Sequence, residues 1–113
     1  MARAPARGDI YLVDLEPTKG KEQRGKRPVL VVSPAEHNKR GLAIVLPISQ
    51  GHILARSSGF ACTLMGAGTG TQGVIICDQP RTLDFSARGA RFVESIPEMI
   101  IADVLARLGV LVS

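Results

Sequence analysis

Five short apolar runs follow one another along this chain with no helical period between them. Ile10 to Leu15, Val29 to Ser33, Leu42 to Leu46, Phe60 to Leu64 and Val74 to Asp78 are apolar and largely β-branched, and are read as strands. Pro17, Pro34 and Pro47 stop the first three. Arg81 to Leu83 and Ala90 to Glu94 are shorter candidates. Strands in direct succession argue against a parallel α/β sheet, whose strands need crossover helices. The period changes only near the end. Ser95-Ile96-Pro97-Glu98 has the form of a capping box with Pro in the first turn. Ile100, Ile101, Val104, Leu105 and Leu108 then mark one face of a helix, which Gly109 is expected to break. The expected architecture is a small, strongly bent sheet or barrel carrying one terminal helix.

A chain of 113 residues fits one domain, 1–113, with one core. Its 45% hydrophobic content excludes general disorder. No apolar run approaches the roughly 20 residues of a membrane span, and the first residues lack the apolar segment of a secretory signal. A cytoplasmic protein without membrane association is therefore expected. Fourteen basic residues against ten acidic ones give a net charge of +4, which permits a polyanionic partner. The densest positive stretch runs from Lys19 to Arg27. With no Trp and one Tyr, stacking of RNA on an aromatic platform is poorly supported. Cys62 and Cys77 are flanked by apolar residues and form no C-x-x-C pair, and only His37 and His52 are available to complete a site. They are read as core residues, with no metal or cofactor.

Two segments carry chemistry. Lys19-Gly20-Lys21-Glu22-Gln23-Arg24-Gly25-Lys26-Arg27-Pro28 is a polar loop whose glycines allow close approach to a ligand. It runs straight into a buried strand, so Arg27 stands at the rim of a rigid element, where a guanidinium grips phosphate as a fork. In the second, Cys77-Asp78-Gln79-Pro80-Arg81-Thr82-Leu83-Asp84, strand alternation puts Ile76 and Asp78 on one face and Cys77 on the other. Asp78 with Arg81 is also compatible with a structural ion pair. The glycine loop Gly66 to Gly70 is not a phosphate cradle, because it joins two strands rather than leading into a helix.

Taken together, Arg7-Gly8-Asp9-Ile10-Tyr11-Leu12-Val13-Asp14-Leu15-Glu16-Pro17-Thr18-Lys19-Gly20, Glu22-Gln23 and Arg27-Pro28-Val29-Leu30-Val31-Val32-Ser33-Pro34 strongly resemble the opening of the MazF/PemK family of toxin endoribonucleases. Pro47-Ile48-Ser49, Ala55-Arg56-Ser57-Ser58-Gly59-Phe60, Cys77-Asp78-Gln79-Pro80-Arg81-Thr82 and Ala87-Arg88-Gly89 resemble its PemK/Kid branch especially. The resemblance implies an SH3-like, strongly bent antiparallel β-barrel with a C-terminal helix, and a homodimer. It implies cleavage of single-stranded RNA at short sequences without a metal ion, leaving 2′,3′-cyclic phosphate and 5′-OH ends. It also implies an antitoxin whose disordered tail covers the RNA site.

By the same resemblance Asp78 matches the branch's general base, a role for which an ordinary carboxylate needs burial or neighbours to raise its pKa. The branch's Arg two residues earlier is Ile76 here, and its loop His is Lys21. Arg27 and Ser49 match the pair that the MazF branch uses, Arg27 as phosphate clamp and Ser49 as a hydrogen-bonding partner of the phosphate or the 2′-OH. Lys19, Lys21, Glu22, Gln23, Arg56, Phe60, Gln79 and Arg81 complete the expected RNA-binding set. The two departures leave a second reading, a catalytically impaired homologue that binds antitoxin or RNA without cutting. A CcdB-like gyrase poison on the same fold ranks third, since such chains lack the Lys19-to-Pro28 and Asp78-to-Thr82 segments.

Overall fold

A computed structural model of the chain describes residues 4–15, 26–50 and 60–113. Among the described residues seven strands and two helices follow in order: β1 (Asp9–Val13), β2 (Arg27–Val31), the single-turn α1 (Ala35–Asn38), β3 (Leu42–Ser49), β4 (Ala61–Thr63), β5 (Val74–Ile76), β6 (Arg81–Asp84), β7 (Arg91–Ser95) and α2 (Glu98–Val112). All strand pairings are antiparallel. The sheet runs β4-β5-β3-β2-β1-β7, with β6 also on β3. The antiparallel strands and C-terminal helix are those the expected fold requires, while among the described residues β6 and β7 share no ladder and the sheet is not closed.

The central strands are apolar on both faces, and each face has its own core. Ile10, Leu30, Leu46, Ile48 and Ile75 point into one cluster, against which Ile100, Ile101, Leu105 and Leu108 of α2 pack beside the fully buried Val104. Tyr11, Val13, Val29, Val31 and Val45 point into the other, capped by Phe85, which meets the Tyr11 ring edge-on at 4.9 Å. Cys62 and Cys77 are free and buried in the first cluster, the core role expected of them.

The strand expected over Val74 to Asp78 ends at Ile76, so Cys77 and Asp78 stand in a turn. Three further differences from the sequence reading have a clear physical cause. Ser95 does not cap α2. It ends β7, where its hydroxyl donates to Asp9 Oδ1 at 2.9 Å, and Pro97 takes the N-cap position without a side-chain bond. Gly109 does not break α2, which continues to Val112; one glycine costs only about 1 kcal/mol against alanine. The turn beyond it is exposed, so Val110, Leu111 and Val112 do not finish the core. No helix among the described residues is long and apolar enough to cross a membrane.

The third difference is Pro47, which sits inside β3 rather than ending it. The Val32 N–H donates to the Ile44 carbonyl at 2.9 Å, so on β3 the backbone groups of Ile44 and Leu46 face β2. Residues 45, 47 and 49 therefore turn their backbone groups to the opposite flank. There Ser49 pairs with Val74 of β5 and Val45 with Arg81 of β6. Between those partners the chain leaves the ladder at Cys77–Pro80, opposite Pro47. A residue without an N–H is tolerated where no acceptor is lost, and the excursion that results carries Asp78.

Candidate functional site

The β2–β3 register pairs Val29 with Pro47. Continued to the strand ends, it sets Arg27, the first residue of β2, beside Ser49, the last of β3. This is a non-hydrogen-bonded position, where facing Cβ atoms lie about 4.5–5.5 Å apart. On the other flank of β3, Ile75 and Cys77 are buried in the helix-covered cluster, Ile76 is half-buried and Asp78 exposed. Asp78 is in the turn after β5, and alternation directs Arg27, Ser49 and Ile76 to one face. Arg81, paired with Val45, shares it. Arg27 and Ser49 thus mark one rim of the sheet, while Arg81 lies further along the same face, opposite Val45.

Not every expected residue joins them. Phe60 packs on the helix-side cluster, opposite the Arg27 face, and its carbonyl accepts from the Cys77 N–H at 2.8 Å. Gln79 is exposed on the excursion. Lys19, Lys21, Glu22, Gln23 and Arg56 lie outside the described residues.

Two side chains that sequence reasoning missed hold the ends of the 16–25 segment. Arg88 Nη1 donates to the Asp14 carbonyl at 3.0 Å and to that of Leu15 at 2.5 Å, where Arg81 Nη2 also arrives at 3.4 Å. Lys26 Nζ donates to the Gly89 carbonyl at 2.8 Å and lies 3.6 Å from Asp14 Oδ2. The turn after β6 therefore fastens both stems of the basic segment next to Arg27. Ala87-Arg88-Gly89 was visible in the sequence as a family-like tripeptide, but nothing local told what Arg88 would bind.

Beyond the rim, the β4–β5 connection is tied down twice. Glu94 of β7 accepts from the Thr71 N–H and Thr71 hydroxyl, both at 2.7 Å, and from the Gly70 N–H at 3.1 Å. These bonds, that of the Thr71 hydroxyl first, hold its carboxyl below the usual Glu range against the opposing effect of desolvation. Gln50 Nε2 donates to the Gln72 carbonyl at 3.0 Å. Gly73 passes so close to β3 that a Cβ there would stand 2.6 Å from the Ser49 carbonyl oxygen.

Chemically, this part of the sheet offers the exposed guanidinium of Arg27, the hydroxyl of Ser49 and the guanidinium of Arg81, with the exposed carboxylate of Asp78 in the turn after β5. Cations and a hydroxyl suit a phosphodiester, and a carboxylate accepts a proton. The family model for the PemK-like, MazF-like toxin of type II toxin-antitoxin systems matches residues 6–112. The chain is 49% identical over 108 residues to a protein named Endoribonuclease PemK from Escherichia coli, covering 95% of this chain and 81% of the relative. It is 38% identical over 103 residues to Endoribonuclease toxin ChpB of Escherichia coli strain K12, covering 90% and 89%. Among solved structures, MazE-MazF (Form-II) from Deinococcus radiodurans aligns with a TM-score of 0.84 at 34% identity, over 96% of both chains.

Proposed function

Because the chain belongs to the PemK-like, MazF-like family and is a toxin endoribonuclease of a type II toxin–antitoxin system, we propose that it cuts single-stranded RNA at a short sequence, without a metal ion, using the ribose 2′-OH as nucleophile. The observation that supports this chemistry is the β2–β3 register, which carries Arg27 toward Ser49, with the exposed Asp78 in the turn that follows β5 on the other flank of β3.

RNA supplies its own attacking oxygen, so the protein must remove one proton, hold the chain in line and stabilise charge on phosphorus. Asp78 takes the 2′-OH proton. The 2′-oxygen bonds to phosphorus, and the phosphorus–O5′ bond breaks as O5′ takes up a proton. The ends are a 2′,3′-cyclic phosphate and a 5′-OH. Arg27 forks onto the non-bridging oxygens, where charge builds up, and Ser49 hydrogen-bonds the same group. Arg27 keeps its proton throughout, as guanidinium groups do. Arg81, with Lys19 and Lys21 from the basic segment, supplies positive potential along the backbone, and Gln79, Glu22, Gln23 and Arg56 complete the RNA-contacting set.

The partners follow from the same family membership. The antitoxin's disordered tail is proposed to lie over the rim. A second copy of the chain is proposed to pair with this one, consistent with the exposed Met99, Val110, Leu111 and Val112 of α2. The working compartment is the cytoplasm, where mRNA is met.

The test is digestion of a long defined RNA in EDTA, with sequencing of new 5′ ends and assay of their phosphorylation. Cuts at a recurring short sequence with 5′-OH ends are expected. A folded protein that binds the RNA without cutting it would refute the catalytic reading and favour the impaired homologue, to which Ile76 and Lys21 point. Inhibition of DNA supercoiling would favour the gyrase poison instead.

A further inference from the structure

On the face of the rim away from Arg27 and Ser49 lies a groove of about 490 Å³, within the size range of small-ligand sites. Leu12, Pro28 and Val93 give it apolar walls, Lys26 and Gln50 stand at the rim side, and Glu94 with the loop it holds forms the far wall. We infer that this groove is a nucleobase subsite of the RNA site, and that Glu94 selects a base bearing an exocyclic amino group. The inference rests on the proposed RNA cleavage and deepens it.

Three observations converge. Lys26 and Arg27 are consecutive, as are Ser49 and Gln50, and alternation turns one member of each pair to either face. A strand whose phosphate is gripped by Arg27 and Ser49 therefore reaches the groove with an adjacent nucleotide by crossing the rim. The groove also has a fixed shape, because Glu94 makes three hydrogen bonds to Gly70 and Thr71 and Gln50 holds the Gln72 carbonyl. Aliphatic walls accept the flat face of a base, and a rigid polar wall reads its edge.

The chemistry of the edge fixes the choice. A carboxylate offers about four acceptor positions and no donor. Among the described residues Oε2 accepts two bonds and Oε1 one, which leaves one acceptor position on Oε1. Adenine, cytosine and guanine each present an amino group to such an acceptor. Uracil presents only an imino N–H between two carbonyl oxygens, which a carboxylate repels.

The test compares the cleavage motif of the wild type with those of Glu94→Gln and Val93→Trp, using a randomised single-stranded RNA pool and sequencing of the new 5′ ends. The wild type is expected to disfavour uracil at one position near the cut. Glu94→Gln, which offers an amide donor, is expected to relax that position toward uracil about tenfold or more, the size of one hydrogen bond to a charged group. Val93→Trp fills the groove from an exposed position and is expected to erase the preference at the same position while other positions persist. Motifs identical in all three proteins would overturn the subsite and leave RNA cleavage standing. A uniform loss of rate without change of motif would make Glu94 structural and overturn it too. A wild type that cuts no RNA removes both proposals together.

Discussion

Gly73→Ala separates two costs that usually arrive together. Gly73 has φ +131°, and an added Cβ would stand 2.6 Å from the Ser49 carbonyl oxygen and 3.1 Å from Ile48 Cγ2. Holding a residue other than glycine in such a backbone region costs about 1–3 kcal/mol, and forcing an extra carbon into a filled space costs about 1–3 kcal/mol more. Gly68 is the control, since its φ is +83° but an added Cβ there would meet nothing within 4 Å. Gly68→Ala meets backbone strain alone, offset by about 0.4–1 kcal/mol from a stiffer unfolded chain. The two variants should therefore differ by roughly 1–3 kcal/mol, or about 5–20 °C in melting temperature for a domain of this size. Thermal melts at equal protein concentration, which oligomers require, measure this directly. RNA cleavage should fall more in Gly73→Ala, because the displaced atom belongs to Ser49. Melting temperatures within about 2 °C of one another, a fraction of a kcal/mol, would show that the Ser49 contact relaxes without cost and that Gly73 does not fix the rim.

Arg27→Ala should abolish RNA cleavage while leaving the fold intact, since Arg27 is exposed; circular dichroism with a cleavage assay checks both halves. Asp78→Asn should lower the cleavage rate by the roughly 10²–10⁴-fold assigned to a general base, and an unchanged rate would make Asp78 structural. Burial pushes the thiol of Cys62 up to about 12 and that of Cys77 up to about 11, with the Asp103 carboxylate, 3.3 Å from Cys62 Sγ, reinforcing the first. Unfolded thiols ionise near pH ~8.5, so stability should be flat below that and decline as pH rises through the folded values; denaturant titrations from about pH 8 to 11 would show it, and a flat profile would refute it. Glu94 behaves oppositely. Its lowered pKa stabilises the fold above the usual carboxylate range, and this contribution should fade as pH falls through that range, with Glu94→Gln abolishing that part of the slope.

Much of the fold was legible because its strands are short, β-branched and consecutive, and because the apolar period of residues 100–108 has one geometric solution. Alternation at Ile75 and Ile76 was legible for the same reason, whereas the strand expected to run to Asp78 ends at Ile76 and leaves Asp78 in a turn. What failed did so where a residue's partner is distant. Ser95 looks like a cap until Asp9 competes for its hydroxyl, and Pro47 looks like a stop until the far flank of β3 proves to demand nothing of it. Arg27, Ser49 and Asp78 could be nominated from the family pattern, but their placement around β3 needed the register of three strands. Arg88 and Glu94 carried no local signal, because each acts on backbone atoms that only the folded chain brings within reach.

The proline in β3 works as a joint between two otherwise independent ladders. β5 and β6 hang on the same strand, yet neither dictates the position of the other, because the three residues from Asp78 to Pro80 between them enter no strand pairing. Adding or removing a residue there would re-aim the carboxylate while sparing Val74, Arg81 and both cores. Divergent chains of this shape can therefore retune their chemistry by editing slack in one short stretch, with the strands that carry the fold left as they are.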